Sequence, residues 1–365
     1  MPQINSRYFP ALDGLRTICV SLVIFEHIRD LPGSLNHLQG WLGVDIFFLI
    51  SGFLITTLLF REEKAKKRID LLAFYIRRFF RIVPLYALIL SVYIIRAAFN
   101  PRQWAMMRHW LVYYLTMSVD ILSAHIDVHG DFIGANKPPF GATWSLGVEE
   151  KFYVIWPLLF FVLLPKKYRA LAIPVLMAAT ALLPFRLFRS YVGLLIGCLL
   201  AILIANPRAE RFTKFLSRIP AAAVVGMVIL GFYLVDRKME FVFLFSVIGA
   251  VLIAHLVLTD SWLTNLLSTR PFVWVGQRSY SMYLIHMMVI DAVEYFLPHK
   301  TVLGSILVTA CAIASTALGA AVLYKFVEEP ARQFGKRLLA RSRHTSTGMN
   351  PAVSSDSSST VLIES

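Results

Sequence analysis

Cysteine, charge and long polar stretches are all in short supply in this sequence. Three cysteines stand among 365 residues, Cys19, Cys198 and Cys311, each inside an apolar block and no two spaced as CxxC. That excludes a disulfide framework and a thiolate zinc motif. Charged residues make up 16% of the chain, against about 25% in soluble domains, which rules out a water-soluble enzyme as the leading class. Acids are the minority of those charges: 22 Asp and Glu face 36 Lys and Arg, a formal +14. No internal repeat is evident, nor the inverted pairing of Gly- and Pro-broken spans that many transporters show. The N-terminal stretch carries no cleavable-signal pattern, because Asp13 and Arg16 interrupt what would be its apolar region.

What fills the chain instead is apolar: 57% of residues are hydrophobic, gathered in long blocks between short charged stretches. A helix crossing about 30 Å of hydrocarbon needs roughly 20 residues. That ruler places spans near 11–28, 39–60, 82–99, 143–165, 169–184, 190–206, 219–236, 240–259, 278–298 and 302–326. The two short spans flanking Pro184 form a kinked hairpin in this reading, and 109–122 is interfacial or re-entrant. The expected fold is therefore an all-α, polytopic integral membrane bundle of about ten transmembrane helices. With the N-terminus inside, inner segments carry 23 Lys and Arg and outer segments nine, so both termini are expected in the cytoplasm. A net charge of this sign would suggest nucleic acid on a soluble protein; here it reads as topology, with membrane lipid as the partner and no nucleic acid. Residues 1–340 form one membrane-embedded unit, and the polar, Ser-rich segment 341–365 is expected to be a disordered cytoplasmic tail.

Ionisable groups inside spans are costly and point to function. In the first span, Arg16 and His27 are eleven residues apart. At about 100° per residue they share one helix face, about 16 Å apart along the axis. The competing reading has Arg16 snorkelling inward to pair with Asp13 and His27 merely interfacial. In the second span, Asp45 sits in the same outer layer as His27, where a carboxylate orients an imidazole, and Ser51-Gly52 sits mid-span. Gly52 lets a helix or a ligand come close. The span opening TWSLGVEEKFYVIWP buries Glu149 and Glu150, with Tyr153 one turn from Glu149 and Lys151 as a neutralising cation. The basic segment before the third span holds Arg78 and Arg81 at i, i+3, two guanidinium forks able to face one polyanion. Its bland alternative is a topology determinant beside anionic lipid. In SYSMYLIH, Tyr283 and His286 are helical neighbours that can contact one cavity.

Taken together, RYFPALDGLRTICVSLVIFEH, GVDIFFLISGFLIT, YIRRFFRIVPLY, TWSLGVEEKFYVIWP, SYSMYLIH and VEEPARQ resemble the acyltransferase-3 family of integral-membrane acyltransferases, which includes bacterial enzymes that O-acetylate surface polysaccharides. The six stretches fall in the family's order and cover essentially residues 7–333. The resemblance implies a catalytic base at His27 and a donor path that includes Arg16. It carries the family's Ser-Gly-Phe-Leu element onto Ser51, Gly52, Phe53 and Leu54, its Arg-x-x-Arg onto Arg78 and Arg81, and its acidic element onto Glu149 and Glu150. Lys151 stands where Gln is more usual. Family members often add an SGNH-type extracytoplasmic domain, whereas here a short Ser-rich tail stands in that place, so a function resting on that domain is not expected.

The resulting expectation is an O-acetyltransferase of a bacterial cytoplasmic membrane. It takes acetyl from acetyl-CoA, an acyl-CoA co-substrate, and passes it to a hydroxyl of a surface glycan or glycolipid, with no metal. His27, Asp45, Glu149 and Glu150 are the expected catalytic set. Arg16, Ser51, Gly52, Arg78 and Arg81 are expected to hold the donor, with Lys66, Lys67 and Arg68 as further phosphate partners. Tyr153, Tyr283 and His286 are expected at the acceptor. A transporter of a small organic anion or lipid-linked sugar is the alternative, since ten spans with buried carboxylates and a basic vestibule suit it too. A non-catalytic scaffold is the third reading.

Overall fold

The computed structural model describes residues 8–29, 39–121, 140–180, 182–183, 185–297 and 301–346, and all regular structure among them is helical. The helices are α1 (Pro10–Glu26), α2 (Leu42–Lys66), α3 (Leu71–Ala98), α4 (Pro101–Leu115), α5 (Trp144–Trp156), α6 (Arg169–Thr180) and α7 (Phe185–Ala205). They continue as α8 (Glu210–Ser217), α9 (Ala221–Arg237), α10 (Val242–Leu258), α11 (Trp262–Leu267), α12 (Arg270–Gln277), α13 (Ser279–Phe296), α14 (Val302–Leu323) and α15 (Glu329–Ser346). Two π-helical turns interrupt this regularity, Pro157–Leu163 after α5 and Tyr324–Glu328 between α14 and α15.

Five helical stretches among the described residues are long and apolar enough to cross a membrane, and a sixth qualifies if the pair bent by 86° at Pro207–Ser217 and α9 is one span. The shortfall from ten has a physical cause. At 17, 13 and 12 residues, α1, α5 and α6 are shorter than a membrane crossing needs, and α13 carries His286, Asp291 and Glu294 within its 18 residues. Large apolar side chains, among them Ile95, Val162, Leu171, Ile229, Leu307 and Leu318, point outward along the bundle. Contiguous exposed apolar surface of this kind is what a lipid-facing protein presents.

Three local choices set the site. Asp70 caps α3 by accepting from the Ala73 amide at 2.9 Å, so the helix begins early and Arg77 to Arg81 are helical. Arg78 and Arg81 therefore sit on adjoining turns and project into the bundle. At Gly52, a Cβ would fall 2.0 Å from the Leu194 carbonyl oxygen, so only glycine lets α2 and α7 pack backbone to backbone. At Gly276, a Cβ would fall 1.8 Å from the Asp13 carbonyl oxygen, which fixes α12 against the start of α1. Side-chain bonds tie the layers together. Trp156 Nε1 donates to Thr56 Oγ1 (2.9 Å), Tyr280 Oη to the Ile82 carbonyl (2.8 Å) and Tyr86 Oη to the Tyr114 carbonyl (2.8 Å).

α15 runs on to Ser346, so the first residues of the segment read as a disordered tail are helical. The rest of that segment, Pro184, and most of the loop between α4 and α5 lie outside the described residues.

Candidate functional site

Two cavities meet inside the bundle. The smaller, about 700 Å3 with the space open to solvent included, lies between α1, α2, α3, α5 and α13, and Ser51, Arg78, Ser145, Glu149, Tyr153 and Tyr283 are on its walls. The larger, about 1410 Å3 with the space open to solvent included, lies beneath α1, α2 and the π-turn at Tyr324. Arg16 and Arg81 line both, so these two guanidinium groups form the junction.

In the smaller cavity the strongest polar feature is a triangle. Ser51 Oγ donates to Glu149 Oε1 at 2.7 Å, and Tyr153 Oη lies 3.1 Å from both Glu149 Oε2 and Ser51 Oγ. The helical spacing of Glu149 and Tyr153 brings them to one face, and α2 supplies the serine. The Arg78 guanidinium lies over the Tyr153 ring, 4.7 Å from its centroid, and so places a cation beside the carboxylate. Glu150 stays off the cavity wall, and its Oε1 is buried without a hydrogen bond. Arg16 pairs with Asp13 at 3.1 Å, as the competing sequence reading has it, and still reaches both cavities.

At the opposite end of α1 two imidazoles meet. The His27 and His286 ring centroids are 4.9 Å apart, edge to face. His27 Nδ1 is 2.8 Å from the Val23 carbonyl and His286 Nδ1 is 2.5 Å from the Tyr283 carbonyl. A carbonyl only accepts, so each Nδ1 carries the hydrogen and each Nε2 is the bare, basic nitrogen. Tyr283 connects this pair to the cavity: its ring lies 5.3 Å from that of His286, and its hydroxyl, 2.7 Å from Ser145 Oγ, is on the cavity wall. Around this end Arg29 pairs with Asp291 and with Glu294 (3.2 Å), and Arg96 with Asp291 (3.1 Å).

Several of the expected residues have neighbours other than those the sequence suggested. Neither carboxylate nominated to orient His27 reaches it among the described residues. Asp45 faces α7, with Oδ1 3.8 Å from Arg189 Nε, whose guanidinium lies 4.1 Å from the centroid of Trp41. Glu149 is occupied by Ser51 and Tyr153. His286 is fully buried, with its ring against that of His27. Gly52 faces the α7 backbone and is a packing residue. Two residues of rotation turn Lys151 away from Glu149, and its ion pair is with buried Asp120 at 2.6 Å. Lys66 and Arg68 line a separate pocket, and Lys66 is paired with Glu62 at 2.7 Å.

Three cations of the larger cavity were not picked out from the sequence. They are Arg61, from α2, and Arg332 and Lys336, one turn apart on α15. The signal for Arg332 and Lys336 was a basic helix face following a proline in VEEPARQFGK. Tyr8 stands on the same wall, where burial and neighbouring Asp13 push its hydroxyl up to about 12, so it stays neutral. Buried Glu328, which accepts from Ser281 Oγ at 2.7 Å, comes from the same motif. Among the described residues no group of three or more His, Cys, Asp or Glu is placed to hold a metal ion.

The comparisons with known proteins are consistent in kind. A family model described as an acyltransferase domain matches residues 9–325. The chain is similar to the peptidoglycan O-acetyltransferase OatA of Listeria monocytogenes, 29% identical over 360 residues that cover 91% of this chain and 57% of that protein. It is also similar to the O-acetyltransferase OatA of Staphylococcus aureus, 30% identical over 369 residues, 92% of this chain and 59% of that protein. The chain thus spans less than two-thirds of the length of these relatives. No solved structure matches it.

Proposed function

The chain belongs to the acyltransferase family matched over residues 9–325, and from that premise we propose that it moves an acetyl group across a bacterial cytoplasmic membrane, from acetyl-CoA to a hydroxyl of a peptidoglycan-type surface glycan. In this reading the chain makes ten spans with both ends in the cytoplasm, and α1 carries the path from the cytoplasmic to the outer side.

The observation that carries the proposal is the continuity along α1. A cationic chamber opens at Arg16 and Arg81 into a narrower cavity, whose Tyr283 wall backs directly onto the His286–His27 pair. A donor that is polyanionic at one end and thin at the other suits that shape. Arg78 and Arg81 hold its charge near the junction, and the wall formed by Ser51, Glu149 and Tyr153 guides the uncharged arm toward His27.

The chemistry at that end follows from the tautomer. His27, with Nδ1–H held by the Val23 carbonyl, offers Nε2 to the acceptor hydroxyl. The acceptor oxygen attacks the thioester carbon as its proton passes to Nε2; the C–S bond breaks, and the imidazolium returns the proton to the departing thiolate. His286 acts as a positioning residue, packed against the His27 ring. General-base help supplies roughly 10²–10⁴-fold, and alignment of donor and acceptor supplies much of the rest. The transporter alternative loses its footing once the chain is a member of an acyltransferase family, since transport alone releases no thiol.

The test is release of free CoA from acetyl-CoA by purified protein in proteoliposomes, with peptidoglycan fragments as acceptor. Release that needs both the fragments and His27 is the expected result. Equal release by wild type and His27→Ala would sink the mechanism.

A further inference from the structure

The His27 end of α1 has little of its own to hold it still. The helix closes at Glu26, and His27 is the capping residue, its amide donating back to the Ile24 carbonyl at 3.2 Å. Helix ends fray, because their last carbonyls have no partner within the helix. The last turn of α1 carries no basic side chain to answer those carbonyls, and an acid, Glu26, stands there instead. The bond that orients the imidazole, from His27 Nδ1 to the Val23 carbonyl four residues back, spans that same turn. It holds only while the turn stays wound.

Two ties from outside the helix bracket His27. On one side, Glu26 Oε2 accepts from the Gly40 amide at 2.8 Å. On the other, the chain leaves the helix through buried Ile28, and Arg29 is fastened to α13. The Arg29 amide donates to Glu294 Oε1 at 2.6 Å, and Arg29 Nη1 lies 3.2 Å from Glu294 Oε2. One carboxylate therefore takes both the backbone and the side chain of the same residue. Asp291 accepts from Arg29 Nη2 and, through its other oxygen, from Arg96 Nη2 of α3 at 3.1 Å. The two acids are not equivalent. The guanidinium groups that Asp291 holds belong to side chains about half exposed, and exposed ion pairs contribute little. The Glu294 side chain is 10% exposed, and a backbone amide bound to a carboxylate makes a charge-assisted bond with no side-chain freedom to lose on the donor side.

α13 also presents His286 to the His27 ring, with centroids 4.9 Å apart. Glu294 stands eight residues further along that helix, about 12 Å. α13 thus meets the end of α1 at two points, a ring contact and the Arg29 amide, and two fixed points set both the position and the rotation of the turn between them. We propose that Glu294 is a positioning residue for His27. By holding the Arg29 amide it keeps the last turn of α1 wound, so that the Val23 carbonyl retains the Nδ1 hydrogen and Nε2 stays aimed at the acceptor. The assignment rests on the acyl-transfer reading above and deepens it. In this role Glu294 moves no proton; it acts through the geometry of His27, and misplacing a reacting group by about 1 Å costs on the order of 10²-fold.

The experiment compares wild type with Glu294→Ala, Glu294→Gln and Glu294→Asp. Arg96→Ala removes a charge from the same cluster and leaves the Arg29 amide alone. Two readouts are taken on the full chain in proteoliposomes. One is the steady-state kinetics of CoA release with peptidoglycan fragments; the other is the nitrogen NMR resonances of the His27 ring in histidine-labelled protein, assigned with His27→Gln. Glu294→Ala is expected to lower kcat by about tenfold or more while KM for acetyl-CoA stays within about twofold. In the same variant the single Nδ1–H tautomer of wild type gives way to an exchanging mixture. Gln still accepts from the amide, so Glu294→Gln should keep the wild-type resonances and a kcat within about threefold, as should Arg96→Ala; Glu294→Asp, one carbon shorter, should fall between Gln and Ala. Wild-type kcat and resonances in Glu294→Ala overturn the proposal. So does a Gln variant as impaired as Ala, or a fall in kcat with the His27 resonances unchanged. Should Glu294→Ala not fold, Glu294→Asp carries the test, and wild-type kcat and resonances there overturn it. The tautomer is read without turnover, which keeps the two readings apart. No acetyl transfer by wild type, with the tautomer lost in Glu294→Ala, supports the clamp and counts against the acyltransferase; transfer with an unchanged ring in Glu294→Ala removes the clamp and leaves the acyltransferase.

Discussion

At the scale of the residue, the site is a set of charges made tolerable by specific neighbours. Glu149 keeps its place inside the bundle because Ser51 and Tyr153 bond both of its oxygens, with Arg78 nearby over the Tyr153 ring. Ser51→Ala removes one charge-assisted hydrogen bond, for which a loss of about 1.5–3 kcal/mol is expected, read as a lowered unfolding midpoint in detergent. His27 and His286 differ in their expected effects although their rings touch. His27→Ala should lower CoA release by roughly 10²–10⁴-fold, because the base itself is gone. His286→Phe keeps an edge-to-face aromatic neighbour and should leave far more activity than His27→Ala. Comparable losses in the two variants would make His286 a second base.

At the scale of the element, helix contacts set where these residues stand. The α2–α7 pair depends on Gly52 resting against the Leu194 carbonyl, so Gly52→Val should force the helices apart. Overpacking of this sort costs about 1–3 kcal/mol, and here it would also move Ser51 away from Glu149. Thermal unfolding and CoA release should therefore fall together; a protein of wild-type stability and activity would refute the contact. The Lys151–Asp120 pair pins the segment after α4 to α5. Lys151→Met strands a buried carboxylate and should cost about 3 kcal/mol, the lower end because the lysine side chain is 29% exposed, while adding Asp120→Asn should restore part of it. Failure of the double variant to recover would show that the pair does not couple.

At the scale of the whole molecule, the cavities put polar work inside an apolar shell, and the direction of the path becomes testable. Cys19 and Cys198 are buried, so a Cys311→Ser background is suitable for site-directed labelling. In the ten-span arrangement, Lys67→Cys and Arg102→Cys should react with an impermeant maleimide from opposite faces of intact membranes. Labelling of both from one face would remove the transmembrane path on which the proposed transfer depends.

Sequence alone determined the class of the molecule and which polar residues stand out within it. Long apolar blocks dictate helices, because an unpaired backbone cannot lie in hydrocarbon, and buried ionisable residues stand out against such a background. The shared face of Arg16 with the His27 end, the pairing of Glu149 with Tyr153 and the adjacency of Tyr283 and His286 were legible for that reason: each is a property of a single helix. What only the tertiary structure decided are the partners across helices. Periodicity says which face a side chain occupies but not which helix covers it. Hence Asp45 turned out to face Arg189, Lys151 to hold Asp120, and Gly52 to meet a backbone. In the larger chamber, Arg61 of α2 and Arg332 and Lys336 of α15 come from segments distant in the chain that share a wall because α15 folds back along α3.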